Sequence, residues 1–293
     1  MLRLPKFRYH APKTLEEALS LLARYNGRAK VVAGGTDLFP SLKRGDVSVK
    51  HLISIRRIEK LQGIECLGNN RLIIGPTVSH EELGMTGALP KPEAFEGLKK
   101  ACGTLANPQI RIMGTIGGNI CNASPSADSL PSLLALEAAV ELTGPDGSRV
   151  MQIDEFFRAP FITHLGPAEI LTAIRIPIPD GVCAGSYARL PKTTQKDETL
   201  VGIACFLRID ESAGTFETVR IGMGSVGPTP IRAKTAEAAM EGKRISKEVL
   251  EKAGAIASSE ARPRSRADYR EKMIRYLVPV ALETALGNMG IKL

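Results

Sequence analysis

Tryptophan is absent from this sequence, and aromatic residues together make up only 4% of it. Proteins that grip single-stranded nucleic acid interleave stacking rings with cations. Here the rings are few and the basic residues scattered, so a nucleic-acid partner is not expected. The formal charge of +8 then has three readings: a surface toward a polyanionic cofactor, one toward an acidic partner subunit, or a solvated surface with no partner.

Cysteine is scarce too. Cys66, Cys102, Cys121, Cys183 and Cys205 are odd in number and form no CxxC pair, which argues against a disulfide framework or a zinc knuckle. Reduced, mostly buried thiols are expected. His10, His51, His80 and His164 show neither HxH nor HxxxH spacing, so no metal site is expected. No GxSxG elbow or Cys/His nucleophile pattern occurs. No apolar run approaches the roughly 18 to 20 residues of a membrane span. The opening MLRLPKFRYHAP lacks the apolar core of a signal peptide, so a cytoplasmic protein without membrane insertion is expected.

What is present is ordinary globular material. The 293 residues are 43% hydrophobic and 24% charged, enough for one large domain or two to three smaller ones. FRYHAPKTLEEALSLLARY reads as a strand, a turn at Pro12 and a helix, with Thr14 and Glu17 forming a capping box and Gly27 a C-cap candidate. AKVVAG (29–34) is a buried strand, completing a β-α-β start. HLISIRRI (51–58) is a strand. RLIIGPTVSHEEL (71–83) runs from strand to a helix capped by Ser79, and 95–106 is helical. A hairpin turns at GPDG, and EILTAIRIPIP is a strand ended by prolines. Beyond residue 185 at least three antiparallel strands precede helices at 233–240, 246–259 and 265–286, the order of an α+β domain with segregated layers.

Two glycine pairs carry the functional signal. In AGGTDL, Gly34 and Gly35 leave successive N–H groups open to an anion, and Thr36 and Asp37 add a hydroxyl and a carboxylate. The segment is neither a GxGxxG fingerprint nor a Walker loop, and alone it reads equally as a tight turn. In GTIGGN, three glycines fall within five residues, with Thr115 and Asn119 at the edges of an expected turn. Ser124, Ser126 and Asp128 follow in NASPSADS, before the expected helix LPSLLALEAAVEL. Asp128 reads as a helix cap or as a partner for sugar or polyol hydroxyls.

Together AGGTDL, QIRIMGTIGGN, ASPSAD, EILTAIRIP and VGPTPIRA resemble, in order and spacing, the FAD-binding medium subunit of molybdenum hydroxylases, the family of xanthine dehydrogenase, carbon monoxide dehydrogenase and 4-hydroxybenzoyl-CoA reductase. The resemblance covers nearly the whole chain. It implies an α+β protein: a two-part FAD-binding domain of the vanillyl-alcohol-oxidase (PCMH) type, with subdomains at 1–54 and 55–178, and a C-terminal α+β domain of the CO dehydrogenase flavoprotein type at 179–293. By the same resemblance, Ala33, Gly34, Gly35, Thr36, Asp37 and Leu38 would face Thr115, Gly117, Gly118 and Asn119 across the FAD diphosphate. Ser124 and Asp128 would bond ribityl or flavin-side hydroxyls. Leu171 would sit against the adenine or serve as strand core. Arg189 stands where many members have a lysine near the isoalloxazine; its alternative is an ion pair, for example with Asp197. Arginine is planar and cannot replace a compact ammonium directly.

The implied partners are a molybdopterin-binding large subunit and a [2Fe–2S] small subunit, arranged as a dimer of heterotrimers. This chain would accept electrons from the small subunit's clusters and pass them to NAD⁺ or another acceptor, with no catalytic acid or base of its own. A stand-alone FAD oxidoreductase and a flavin-free scaffold are the alternatives. The benzoyl-CoA reductase branch inserts four cysteines for a [4Fe–4S] cluster after TIGGN. Here GGNICNASPSAD runs on with only Cys121, so no [4Fe–4S] cluster is expected in this chain.

Overall fold

A computed structural model describes residues 3–68, 70–192 and 198–293. The chain opens with β1 (Arg8–His10), α1 (Leu15–Arg24), β2 (Ala29–Val32), α2 (Leu38–Arg44) and β3 (His51–Ser54). The three strands are parallel, in the order β1-β3-β2. Thr14 caps α1 by accepting from the Glu17 N–H at 3.2 Å, while the Glu17 carboxylate turns back to the Lys13 N–H at 3.0 Å. The capping box therefore closes one residue earlier than its usual form. Helix α1 is capped at Tyr25, before Gly27, which instead takes φ +70° in the turn into β2. Strand β3 stops at Ser54, short of the expected Ile58. Ile55, Ile58 and Leu61 turn inward there and bury against Ala18, Leu22 and Ile53.

A five-stranded antiparallel sheet follows, of order β4-β5-β10-β6-β7. Its members are β4 (Ile64–Leu67), β5 (Arg71–Ile74), β6 (Ala139–Gly144), β7 (Gly147–Gln152) and the central β10 (Ile170–Pro177); a small hairpin, β8 (Phe157–Ala159) and β9 (Ile162–Thr163), stands apart. Helices α3 (His80–Met85), α4 (Pro92–Gly103), α5 (Pro108–Met113), α6 (Ile116–Asn122), α7 (Ser129–Ala135) and the single turn α8 (Ile153–Phe156) complete this part. Leu98, Ile116, Leu130, Leu133, Ile174 and Ile176 meet in one fully buried core.

Two expectations are corrected here. The stretch 114–119 is no turn: Gly117 and Gly118 lie in the first turn of α6, because Thr115 caps it with a 3.0 Å bond from the Gly118 N–H to Oγ1. A good cap outweighs the poor helix propensity of two glycines. The helix expected through Leu142 stops at Leu136. Glu137 takes φ +51°, its carboxylate held by Arg220 and Arg232, and the chain continues as β6.

The last part is a four-stranded antiparallel sheet, β11 (Val182–Pro191), β12 (Thr199–Asp210), β13 (Thr215–Gly224) and β14 (Ile231–Arg232), covered by α9 (Lys234–Met240), α10 (Lys247–Glu260) and α11 (Ala267–Asn288). Ile203, Leu207, Val219, Leu250, Val278 and Leu282 are part of their shared core. Strand and helix layers are thus segregated, as the α+β reading requires.

Candidate functional site

Strand β2 delivers its carboxyl end to the first glycine pair. Gly35 takes φ +73°, and its carbonyl accepts from the Phe39 N–H at 3.0 Å, so α2 starts directly behind the turn. Among the described residues, the main-chain N–H groups of Gly34, Gly35, Thr36, Asp37 and Leu38 take no hydrogen-bond partner. A run of open donors beside a helix start is the local geometry that receives an anion. Asp37 is exposed at its edge, though the surrounding protein raises its pKa by desolvation.

The second segment abuts the first. A Cβ on Gly34 would collide with the Met113 carbonyl, and one on Gly114 would lie 3.4 Å from Thr36 Oγ1. Here the amides are already used, however. Ile116 N–H donates to Val78 O, Gly117 N–H to Pro76 O and Asn119 N–H to Thr115 O, at 2.9–3.0 Å. Gly117 is a packing glycine, since any side chain would strike Pro76. Gly118 is exposed, and its missing Cβ meets only Thr115 Oγ1. Asn119 Oδ1 accepts from Ser129 Oγ at 2.6 Å. The two pairs are therefore unequal: the first contributes open N–H groups, the second a smooth helix start.

Asp128 does not cap α7; its side chain makes no bond to that helix's first turn. The carboxylate is 5% exposed, and its Oδ1 accepts from Tyr187 Oη at 2.5 Å and Thr199 Oγ1 at 2.6 Å. Arg189 Nη1 lies 3.5 Å from Oδ2 and 3.4 Å from Thr199 Oγ1. Burial, then Asp128, pushes the Tyr187 phenol well above its ordinary range, so it stays a donor. Arg189 thus has a carboxylate partner in Asp128; Asp197 lies outside the described residues. Ser124 Oγ sits 3.1 Å from Ser126 Oγ. Leu171 is 3% exposed within the core of the second sheet, which leaves little of its side chain for a ligand.

Two groups escaped the sequence reading. His80, the first residue of α3, is 3% exposed and lies against Gly114 at the seam between the glycine segments; among the described residues its Nδ1 has no partner. Burial lowers its pKa to about 4, so the imidazole is neutral at physiological pH. Only Ser79, the cap before it, marked that position in the sequence. Arg56 Nη1 lies 3.6 Å from Met113 Sδ, bringing an exposed guanidinium to the residue on which Gly34 rests. Arg56 had been read as part of a longer β3.

The chemistry on offer is therefore recognition of an anion by main-chain donors, with a neutral imidazole and polar side chains nearby. Among the described residues, no three of His, Cys, Asp or Glu converge to hold a metal, and no helix is long and apolar enough to cross a membrane. A cradle of this make suits the class of proteins that hold a phosphate-bearing cofactor.

Comparison with known proteins narrows that class. Residues 5–179 match the FAD binding domain in molybdopterin dehydrogenase, and residues 186–285 the CO dehydrogenase flavoprotein C-terminal domain. The carbon monoxide dehydrogenase medium chain of Afipia carboxidovorans is 34% identical, over 95% of this chain and 96% of that one. A putative xanthine dehydrogenase FAD-binding subunit of Escherichia coli is 31% identical, over 97% of this chain and 98% of the other. Among solved structures, carbon monoxide dehydrogenase from Hydrogenophaga pseudoflava, in a form lacking the Mo-pyranopterin moiety of the molybdenum cofactor, superposes with a TM-score of 0.91. That match is 34% identical and covers 98% of this chain and 99% of that one. This chain belongs to the family of FAD-binding medium subunits of molybdenum hydroxylases, and it is an oxidoreductase subunit.

Proposed function

We propose that this chain binds FAD with the diphosphate on the N–H groups of Gly34 to Leu38, receives electrons from [2Fe–2S] clusters in a small subunit, and delivers them to NAD⁺ or another acceptor. A molybdopterin-bearing large subunit would act on the substrate upstream. The observation that carries the reading is the run of unpartnered donors at Gly34–Leu38 pressed against Met113–Gly114.

Bound FAD would supply a two-electron acceptor that can also release electrons singly. The chain's own residues bind and orient it. Gly34 lets the end of β2 close on Met113 and Gly35 takes the positive φ of the turn, which together leave the donors open, and exposed Gly118 opens the far wall. Thr36, Ser124 and the amide of Asn119 supply polar contacts along the cofactor. Asp128 fixes Tyr187, Thr199 and Arg189, so Arg189 serves the flavin end as a positioned, charge-paired group. Leu171 supports the site from within the core.

Reconstitution of purified chain with FAD tests the assignment. A bound flavin band near ~450 nm, as the cofactor's chemistry implies, should appear in wild type and be lost in Gly118→Val, whose Cβ would lie 3.0 Å from Thr115 Oγ1 at an exposed position, with circular dichroism confirming that the variant is folded. Full flavin retention in that variant would remove Gly118 from the site, and no flavin in wild type would favour a flavin-free scaffold. Affinity purification from the native host separates a subunit from a stand-alone enzyme: no molybdenum- or iron–sulfur-containing partner would defeat the subunit reading.

A further inference from the structure

A concavity among the described residues lies away from the proposed flavin cradle. About 490 Å³ in volume, it opens at the amino-terminal end of the first sheet, walled by Lys6, Arg8, Arg24, Arg28 and Lys50 around Tyr25 and His51. Strand β2 separates it from Ala33 by four residues, about 13 Å of extended chain.

Main-chain bonds gather the stems of these exposed lysines and arginines at one end of the sheet. Arg8 N–H donates to Lys50 O at 2.9 Å, and the N–H groups of Lys50 and His51 both reach Arg28 O, at 3.0 and 3.1 Å. The Tyr25 ring stacks on His51 at 3.6 Å and 8°, with Arg24 5.5 Å above Tyr25. His10 Nε2 and His51 Nδ1 lie 3.0 Å apart. Burial, then His10, Arg8, Arg28 and Arg24, lower the His51 pKa; the crowding of positive charge is felt at the imidazole.

No carboxylate lines this concavity. Among the described residues, none pairs with any of its five cations. Glu16 and Glu17 sit at the other end of α1, and Asp46 is engaged by Arg44. Several arginines elsewhere are paired, as in Arg149–Glu169, Arg175–Glu141 and Arg232–Glu237. Like charges held together without counter-charges repel, and a bound anion relieves that repulsion. The mouth is wide and shallow, so the preference for a compact anion rests on the clustering of positive charge rather than on enclosure. Three guanidinium forks match phosphate oxygens better than single carboxylates.

We propose that this basic concavity is a second ligand site, for a small anion of the oligophosphate class, separate from the flavin cradle. Inorganic tripolyphosphate is the probe, titrated calorimetrically into full-length chain with excess FAD, and sodium sulfate is the control at matched ionic strength. Tripolyphosphate should bind at least ~10-fold tighter than sulfate. The double reversal Arg24→Glu/Arg28→Glu should weaken it about 100-fold, a few kcal/mol of lost attraction, with flavin content unchanged. Lys6→Ala, at an exposed position, should weaken it several-fold and guards against misfolding of the double variant.

Tripolyphosphate binding no tighter than sulfate, or equal in wild type and both variants, overturns the proposal. Loss of flavin from a folded Arg24→Glu/Arg28→Glu chain would also overturn it, by placing FAD at the concavity. So would weakened association with partner subunits in the absence of any tripolyphosphate binding, which would identify an acidic protein face as the occupant.

Discussion

His80 holds a neutral imidazole at the seam of the two glycine segments, and its burial has a sign. A histidine whose folded pKa is lowered from about 6.5 to about 4 binds its proton more weakly folded than unfolded. Stability is then fully present above pH 6.5 and falls as the pH drops from about 6.5 to about 4, by up to about 3 kcal/mol. Denaturant midpoints of wild type and His80→Gln, measured from pH 7 to pH 4, should show the steeper loss in wild type. Equal slopes would mean His80 does not titrate as described. Asp128 differs because its bonds are made to both neighbouring sheet strands. Asp128→Ala would leave the Tyr187 and Thr199 hydroxyls buried without an acceptor and Arg189 without this carboxylate, costing about 2–5 kcal/mol. Asp128→Asn keeps an acceptor oxygen and should cost less, readable as the difference between two urea melts. From sequence, Asp128 was visible as important, but its partners were not. Tyr187, Arg189 and Thr199 lie on β11 and β12, and only the pairing of those strands brings them to it.

At the scale of elements, strands and long amphipathic helices were legible because their hydrophobic periods are local. The β-α-β start, the GPDG hairpin and the three C-terminal helices were read within a few residues of their bounds. The short helices α5 and α6 were missed because they are made by caps and tertiary contacts. Asn107 Oδ1 accepts from the Ile110 N–H at 3.0 Å ahead of α5, and Gly117 docks on Pro76. Neither contact has a periodic signature. The glycines likewise separate by role. Gly34→Ala should damage the fold, because its Cβ enters main chain at Met113; Gly118→Ala should leave apo stability unchanged or raised, since alanine favours helix by about 1 kcal/mol. Thermal melts of both variants without FAD distinguish them. A large loss in Gly118→Ala would show that this position is packed as tightly as Gly117.

The molecule joins three main sheets and a small hairpin, and the cradle stands where β2 meets the amino-terminal ends of α2 and α6. A cofactor held only by the folded state adds stability by mass action, about 2.7 kcal/mol at a hundredfold excess over its dissociation constant. Removing FAD should therefore lower Tm by several degrees, and re-addition should restore it in proportion to the logarithm of FAD concentration. An unchanged Tm at saturating FAD would argue that no such site exists in the fold. Family membership was legible at this scale because the glycine motifs and the ASPSAD segment keep their order along nearly the whole chain. The basic concavity was not, since its cations come from three separate stretches and the sequence showed only their scatter.

The spacing of the Asp128 cluster along the chain also sets a schedule. Gly35 leaves the ribosome early, but Thr199, the last of the Asp128 donors, is made 164 residues later (199 − 35). At about 5–20 residues per second of synthesis, roughly 8–33 s separate Gly35 from the strand that completes the bonds of Asp128. A chain interrupted before β12 would carry both glycine segments with Asp128 deprived of Thr199.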